Sequence, residues 1–253
     1  MLGTTLNGPL GPSIRAIDIC APKHPPYGQM HQLLGKEQRA RLAAIASIVR
    51  FEKRAEIYHE GDHADAVFNI ISGVVKAYMR GPHKTMRGPH RTEHISAFWF
   101  PGDLFGLAQE GSYVSSVEAL TPVTAYRIPI AALRSRLSTD AMLEYHFITK
   151  LCHELWQAQR HAFLLTSNRT LSKLTMFLQM LEQLQAAKGE STNEIYMPMG
   201  RSDVADYIGT SLASTSRAFR SLATRAVLQV RDRRHVKVID RSAFEELAGV
   251  TTV

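Results

Sequence analysis

The chain has 253 residues, 45% of them hydrophobic, and a formal net charge of +7. That length and apolar content can bury real cores in two modest domains or one large one, which excludes a disordered chain. The positive excess favours a polyanionic partner such as nucleic acid, although where the charge sits matters more than the total.

Residues 1–30 are rich in Gly and Pro and lack periodicity, so they are expected to form a flexible leader. They contain no basic start followed by an apolar run, and no stretch of the chain approaches roughly eighteen uninterrupted apolar residues. A cytoplasmic protein with no membrane partner is expected. The two cysteines, Cys20 and Cys152, lie too far apart in sequence for a paired metal motif or a disulfide framework.

From Leu33 to Val49 apolar residues recur at helical spacing, predicting a short helix. From about Phe51 to Pro129 short apolar runs alternate with turn residues: Val67–Ile71, Val74–Tyr78, Ile95–Phe100, Val117–Leu120 and Val123–Ile128. Several short strands at this spacing predict an all-β roll, barrel or sandwich over residues 31–130. Within it Met79–Thr85 is repeated as Met86–Thr92, the copies differing only at Lys84 and Arg91. This reads as an elongated hairpin tip. It is either a basic contact surface or a neutral insertion, and the tolerance of loop tips favours the second.

Ile130–Thr166 reads as one long helix with an interruption near Ser138–Asp140. Leu143, Phe147, Leu151, Leu155 and Ala158 form a stripe that predicts a homodimer seam over residues 131–166, with packing on the chain's own β domain as the alternative. Residues 167–253 begin with a helix over Arg169–Ala187.

The most informative segment is Met197–Leu222. Arg201–Ile208 predicts a short helix with Val204, Ala205 and Ile208 inward, stopped at Gly209 in the left-handed conformation. Thr210 and Ser211 are N-cap candidates for a second helix with Leu212, Phe219 and Leu222 inward. Two short helices joined through Gly, the second basic, form a helix-turn-helix. Val227–Val230 and Val236–Ile239 flank the basic turn Arg231–His235, as in the wing of a winged helix. Gly200–Lys237 holds 8 Lys and Arg against 3 Asp and Glu, so it carries +5 of the chain's +7. Double-stranded DNA is the expected partner. Arg201, Ser211, Ala213, Ser214, Ser216, Arg217, Arg220, Arg231, Arg233 and Arg234 are its candidate contact positions. Arg can fork onto guanine, whereas Ser hydroxyls and helix-terminal amides suit phosphates.

Over about Leu33–Leu247 the chain resembles the CRP/FNR family of bacterial regulators. The family has a similar Pro-Met, Arg-x-Asp-Ile-Ala-Asp-Tyr-Leu-Gly and Ser-Arg pattern to that of Met197–Leu222. Tyr58–Asp62 resembles its Glu-Gly-Asp turn, and Pro101–Leu107 a segment of FNR and FixK relatives. The resemblance implies an α+β chain: an N-terminal cyclic-nucleotide-binding-type β-roll, a long dimerisation helix and a C-terminal winged helix-turn-helix. It also implies a homodimer on a pseudo-palindrome, with RNA polymerase as a further partner.

Three departures refine the resemblance. No Arg lies between Pro101 and Ala125, so nothing there offers a cyclic phosphate a charge-assisted fork. Cys20 alone near the N-terminus cannot hold a four-cysteine cluster. The chain therefore looks most like the FixK-type branch, and its regulatory role is expected in oxygen- or nitrogen-related metabolism. The third departure is Ala213, where the family usually has a Glu that accepts from cytosine. One base pair per half-site should then be read less strictly than usual, or differently.

The 11 histidines allow a haem or gas sensor in principle, but Cys152 and His153 are successive residues on a helix and do not share a face. Solvated histidines, no cofactor and no metal are expected, with Cys152 a small buried hydrophobe. No phosphate-cradling loop, nucleophile elbow or zinc motif is present, so the chain is not expected to be an enzyme. A small-ligand-gated regulator and a DNA binder with a relic sensor domain both remain open.

Overall fold

A computed structural model describes residues 36–80, 93–108 and 111–249. The leader, Leu33, Leu34, Cys20, Gln109, Glu110 and all of the duplication beyond Arg80 lie outside the described residues.

The first half is a β-roll of two antiparallel four-stranded sheets. One is ordered β1 (Ser47–Phe51), β8 (Val123–Pro129), β3 (Ala66–Ser72), β6 (Leu104–Phe105). The other is ordered β2 (Glu56–Tyr58), β7 (Ser116–Ala119), β4 (Val75–Arg80), β5 (Glu93–Trp99). Arg80, at the end of β4, pairs with Glu93, at the start of β5. β3 is buried on both faces. Ala66, Phe68 and Ile70 face the space between the sheets, while Val67 meets Leu104, Ile128, Leu133, Leu143 and Phe147 outside it. A strand covered on both sides needs a continuous apolar run, which Val67–Ile71 nearly is.

The helix expected over Leu33–Val49 is shorter than its periodicity implied. Among the described residues α1 spans Lys36–Ala43, and Ile48 and Val49 belong to β1. Pairing of Ser47–Phe51 with Val123–Arg127 overrides the helical spacing, because β-branched residues fit a ladder at least as well.

The long helix is two. α2 (Ile130–Leu137) ends before Asp140, whose carboxylate accepts from Leu143 N at 3.0 Å and caps α3 (Ala141–Thr166). Arg41 pairs with Asp140, and its guanidinium holds that carboxyl below the usual range.

The stripe on α3 is divided between two faces, which corrects the predicted seam. Leu143 and Phe147 are buried against the roll, whereas Leu151 and Leu155 are exposed. The covered face continues through Lys150, His153 and Leu164. The uncovered apolar face is Met142, Tyr145, Ile148, Cys152 and Leu155, at three- and four-residue steps. Cys152 is therefore exposed in this chain, not buried. His153 is not solvated either: it is 3% exposed, because it lies on the inward face.

The C-terminal half contains α4 (Thr170–Ala187), β9 (Ile195–Tyr196), α5 (Arg201–Tyr207), α6 (Leu212–Thr224), β10 (Leu228–Val230), β11 (His235–Val238) and α7 (Arg241–Leu247). Its three-stranded sheet runs β10-β11-β9, and β9 had no clear signal in two residues. Leu174, Phe177, Leu181, Val204, Ile208, Phe219, Leu222, Val236 and Phe244 form its core. That cluster also takes in Tyr78, Ile95 and Phe98 of the roll, so the two halves share apolar contacts.

Candidate nucleic-acid interface

α5 and α6 meet through Gly209, whose φ of +63° is the left-handed conformation. A Cβ there would lie 2.9 Å from Leu165 Cδ2, so both backbone and space call for glycine. The inward positions of α5 are as predicted: Val204, Ala205 and Ile208 are at most 1% exposed. Tyr207 is also buried, and sequence reading missed it because a Tyr beside an inward Ile reads as amphipathic surface.

Ser211 caps α6: its hydroxyl accepts from Ser214 N at 3.1 Å, a contact contributing about 1 kcal/mol. Thr215, Ala218, Phe219 and Leu222 are the buried face. Leu212 is 52% exposed, contrary to its inward assignment. It occupies the first helical position, next to the N-cap Ser211.

The candidate DNA-contacting residues divide by what already holds them. Ala213, Ser216, Arg217 and Arg220 are exposed along α6, and Ser214 is half-buried. Arg217 Nη2 donates to Ser214 Oγ at 3.1 Å, and Ser211 Oγ to the same oxygen at 3.0 Å. A serine chain therefore braces the guanidinium from the N-cap side. Arg201 is different. Its guanidinium lies over the Phe219 ring, 3.1 Å from the centroid, and burial lowers its pKa to about 10. It packs α5 onto α6.

In the wing, β10 and β11 pair Val230 with Val236. Asp232 shapes the turn by accepting from Arg234 N at 2.6 Å and His235 N at 2.9 Å. Those amides hold its carboxyl below the usual range. Arg234 donates to the Pro198 carbonyl, and Arg231 pairs with Glu194 at 3.5 Å. Arg233 is left exposed at the tip, with Lys237 exposed on β11 beside it. Lys237 was legible from strand alternation, since Val236 and Val238 point the other way.

The geometry is thus a capped helix with Arg217 and Arg220 outward, flanked by a basic two-stranded turn. Two protein-family models match the chain in succession. A cyclic nucleotide-binding domain matches residues 48–140, and a Crp-like helix-turn-helix domain matches residues 166–247.

The chain belongs to the CRP/FNR family of transcription regulators.

It is similar to the nitrogen fixation regulation protein FixK of Azorhizobium caulinodans, with 27% identity over 87% of this chain and 88% of the relative. The transcriptional activatory protein AadR of Rhodopseudomonas palustris is 28% identical over 85% of this chain and 87% of its own length. Among solved structures, FixK2 from Bradyrhizobium japonicum superposes with a TM-score of 0.71. That match has 25% identity and covers 80% of this chain and 97% of the other. The fold is that of a CRP/FNR regulator.

The roll of this family member is filled by its own side chains. Tyr58 stacks on Tyr113 at 3.7 Å between centroids, Phe68 on Phe105 at 5.1 Å and Trp99 on Phe105 at 5.4 Å. The Tyr58 phenol lies against the Gly106 backbone, and burial pushes its pKa well up. A Cβ at Gly106 would stand 3.0 Å from the Ala66 carbonyl and 3.3 Å from Phe68 Cδ2. Thus Gly106, within the stretch from Pro101 to Ala125 that holds no Arg, lies against the aromatic side chains of Phe68 and Tyr113.

The turn at Pro101–Asp103 has a structural task. Asp103 accepts from Phe100 N at 2.9 Å and from Lys150 Nζ at 2.8 Å, and Lys150 also meets Glu154 at 3.2 Å. Trp99 Nε1 donates to Glu154 at 3.3 Å. Burial opposes the charge on Lys150, but Asp103 and Glu154 outweigh it and raise its pKa. This buried network docks the turn onto α3.

His161 stacks on Tyr207 at 4.0 Å and its Nε2 bonds the Tyr207 carbonyl at 2.7 Å. It is half-buried, and that burial lowers its pKa. No group of three or more His, Cys, Asp or Glu among the described residues is arranged to hold a metal. No helix among them is long and apolar enough to cross a membrane.

Proposed function

We propose that this CRP/FNR regulator is a cytoplasmic homodimer that binds a palindromic promoter site and activates genes of oxygen- or nitrogen-related metabolism. It carries out no catalysis and meets RNA polymerase from the DNA. The observation that carries this reading is α6. Its apolar face is sealed against the domain core, and Arg217 and Arg220 point outward from a capped N-terminus. Such a helix fits the major groove, with Arg217 on a guanine edge. The uncovered face of α3 supports the dimer: Tyr145, Ile148, Cys152 and Leu155 repeat at coiled-coil spacing with no cover from the described residues. The nitrogen assignment rests on the name of the FixK relative, and the activating role on that of AadR.

Selection from randomised duplexes tests the reading. A two-fold symmetric site is expected, with one relaxed base pair per half-site facing Ala213. Arg217→Ala should cost about 1–3 kcal/mol and relax one guanine position. Uniform weakening on all sequences would assign Arg217 to phosphate instead, and an asymmetric single site would overturn the dimer.

One observation favours a second reading, gating by a small effector. A cavity of about 290 Å³ lies between β5, α3 and α5, lined in part by Trp99, Asp103, His153, Glu154 and Tyr207. It touches the roll, the dimer helix and the DNA-binding domain together.

A further inference from the structure

Lys76 belongs to neither the reading face nor the uncovered face of α3. It sits on β4 and is 7% exposed. Its ammonium meets three carboxylates: Glu118 on β7 at 3.2 Å, Asp203 on α5 at 3.4 Å and Glu93 on β5 at 3.5 Å. A buried ammonium is stable only when paired, and here the partners outweigh the burial. Glu93 and Glu118 belong to the roll itself. Asp203 belongs to the helix-turn-helix, 127 residues away in sequence.

Asp203 uses its two oxygens differently. Oδ1 faces Lys76, while Oδ2 accepts from Gly200 N at 2.8 Å and caps α5. The roll therefore grips α5 at its start. The other end of α5 is gripped too. Tyr207 lies between His161 of α3, at 4.0 Å, and Phe98 of β5, at 5.0 Å. α5 and α6 share one core through Val204, Ile208, Phe219 and Leu222, so a helix held at both ends sets the direction of its neighbour.

We propose that Lys76, from within the sensor-type domain, is a positioning residue for DNA recognition. It holds Asp203, and through α5 it fixes the angle between α6 and the dimer helix. The inference rests on the dimeric, palindrome-binding reading given above. Two recognition helices occupy a palindrome only when they stand one turn of DNA apart. Freeing α5 should then weaken binding to two half-sites and leave binding to one almost untouched.

The test uses the full chain. Asp203→Asn keeps an oxygen to cap Gly200 and leaves Lys76 paired with Glu93 and Glu118, so only the contact between domains loses its charge. Lys76→Met removes the grip from the other side, and Lys76→Arg restores a cation. Affinities are measured on a palindromic duplex and on the same duplex with one half-site scrambled.

Asp203→Asn and Lys76→Met should lose about tenfold on the palindrome, the scale of a typical coupling between sites. On the half-site duplex they should stay within about twofold, and Lys76→Arg should recover most of the loss. Backbone amides of α5 should exchange faster in Asp203→Asn. Equal losses on both duplexes, or an Asp203→Asn protein that matches a palindrome-preferring wild type in binding and exchange, overturn the positioning role alone. Wild-type protein with no preference for the palindrome overturns the dimeric reading first, and the inference with it. Asp203→Asn decides the matter if Lys76→Met fails to fold.

Discussion

At the scale of single residues, the reading head departs from a simple inventory of basic groups. Arg217 is exposed and braced by Ser214 at 3.1 Å, whereas Arg201 lies on Phe219 and Arg234 is bound to the Pro198 carbonyl. With Ala213 in place of an acidic neighbour, Ser214 is the side chain that orients Arg217. Ser214→Ala should leave folding intact and relax discrimination at the base that Arg217 is proposed to read, by a loss of about 1 kcal/mol in the preferred over the next-best base. Competition titrations with single-base variants check this, and unchanged ranking would show that Arg217 needs no brace. His161 offers a prediction in pH. Burial lowers its pKa below the ordinary 6.5, against the carbonyls of Tyr207 and Ser96 that favour the charged ring. The unfolded chain then binds more protons than the folded one as pH falls below about 6.5. His161 therefore adds a loss of stability on acidification through that window. His161→Phe keeps the stack on Tyr207 and removes the titration. Its stability relative to wild type should improve from pH 7.5 to pH 5.5 in urea melts, and a constant difference would exclude the effect.

At the scale of elements, α3 carries two apolar faces with different tasks. The inward face packs Leu143, at 0% exposure, and Phe147 against α1, α2 and the outer side of β3 and β8. The outward face holds Tyr145, Ile148 and Leu155 with nothing among the described residues over them. Substitutions on the two faces should therefore fail in different ways. Leu143→Ala should destabilise the fold by about 2–5 kcal/mol in denaturant melts while the mass in solution stays that of the wild type. Ile148→Glu with Leu155→Glu should leave the melt of the monomer nearly unchanged and halve the mass seen by light scattering. A dimer that survives both glutamates would place the subunit contact elsewhere. Sequence periodicity made α3 legible as a helix with apolar stripes. It merged the two stripes because Leu143, Phe147, Leu151 and Leu155 are four residues apart, and a four-residue step drifts around a helix with 3.6 residues per turn.

At the scale of the whole molecule, the input domain and the output domain are joined through packed side chains. The aromatic stack of Tyr58, Tyr113, Phe105 and Trp99 fills the roll, while β5 and α3 together hold Tyr207. Cyclic AMP should consequently leave the melting temperature of the protein unchanged, since a ligand bound to the folded state raises it. A concentration-dependent rise would show that the stack opens to admit a nucleotide. The same melts, run with small effectors of other chemistry, examine the cavity between β5, α3 and α5.

Local rules are strong where neighbours in sequence are neighbours in space. The Gly209 turn, the Ser211 cap, the buried face of α5, the wing strands and the concentration of +5 charge within Gly200–Lys237 all follow from residues within a few positions of one another. They determine a DNA-reading module from the amino-acid sequence by itself. The tertiary structure decided what periodicity leaves open: which apolar face is covered, which arginines are already engaged and which charges meet. Lys76 lies 127 residues from Asp203, and Arg41 lies 99 from Asp140. No spacing rule reaches so far, because such pairs are set by how whole elements pack. Burial then makes the pairing consequential, since a charge inside the molecule must have a partner where a charge in water need not.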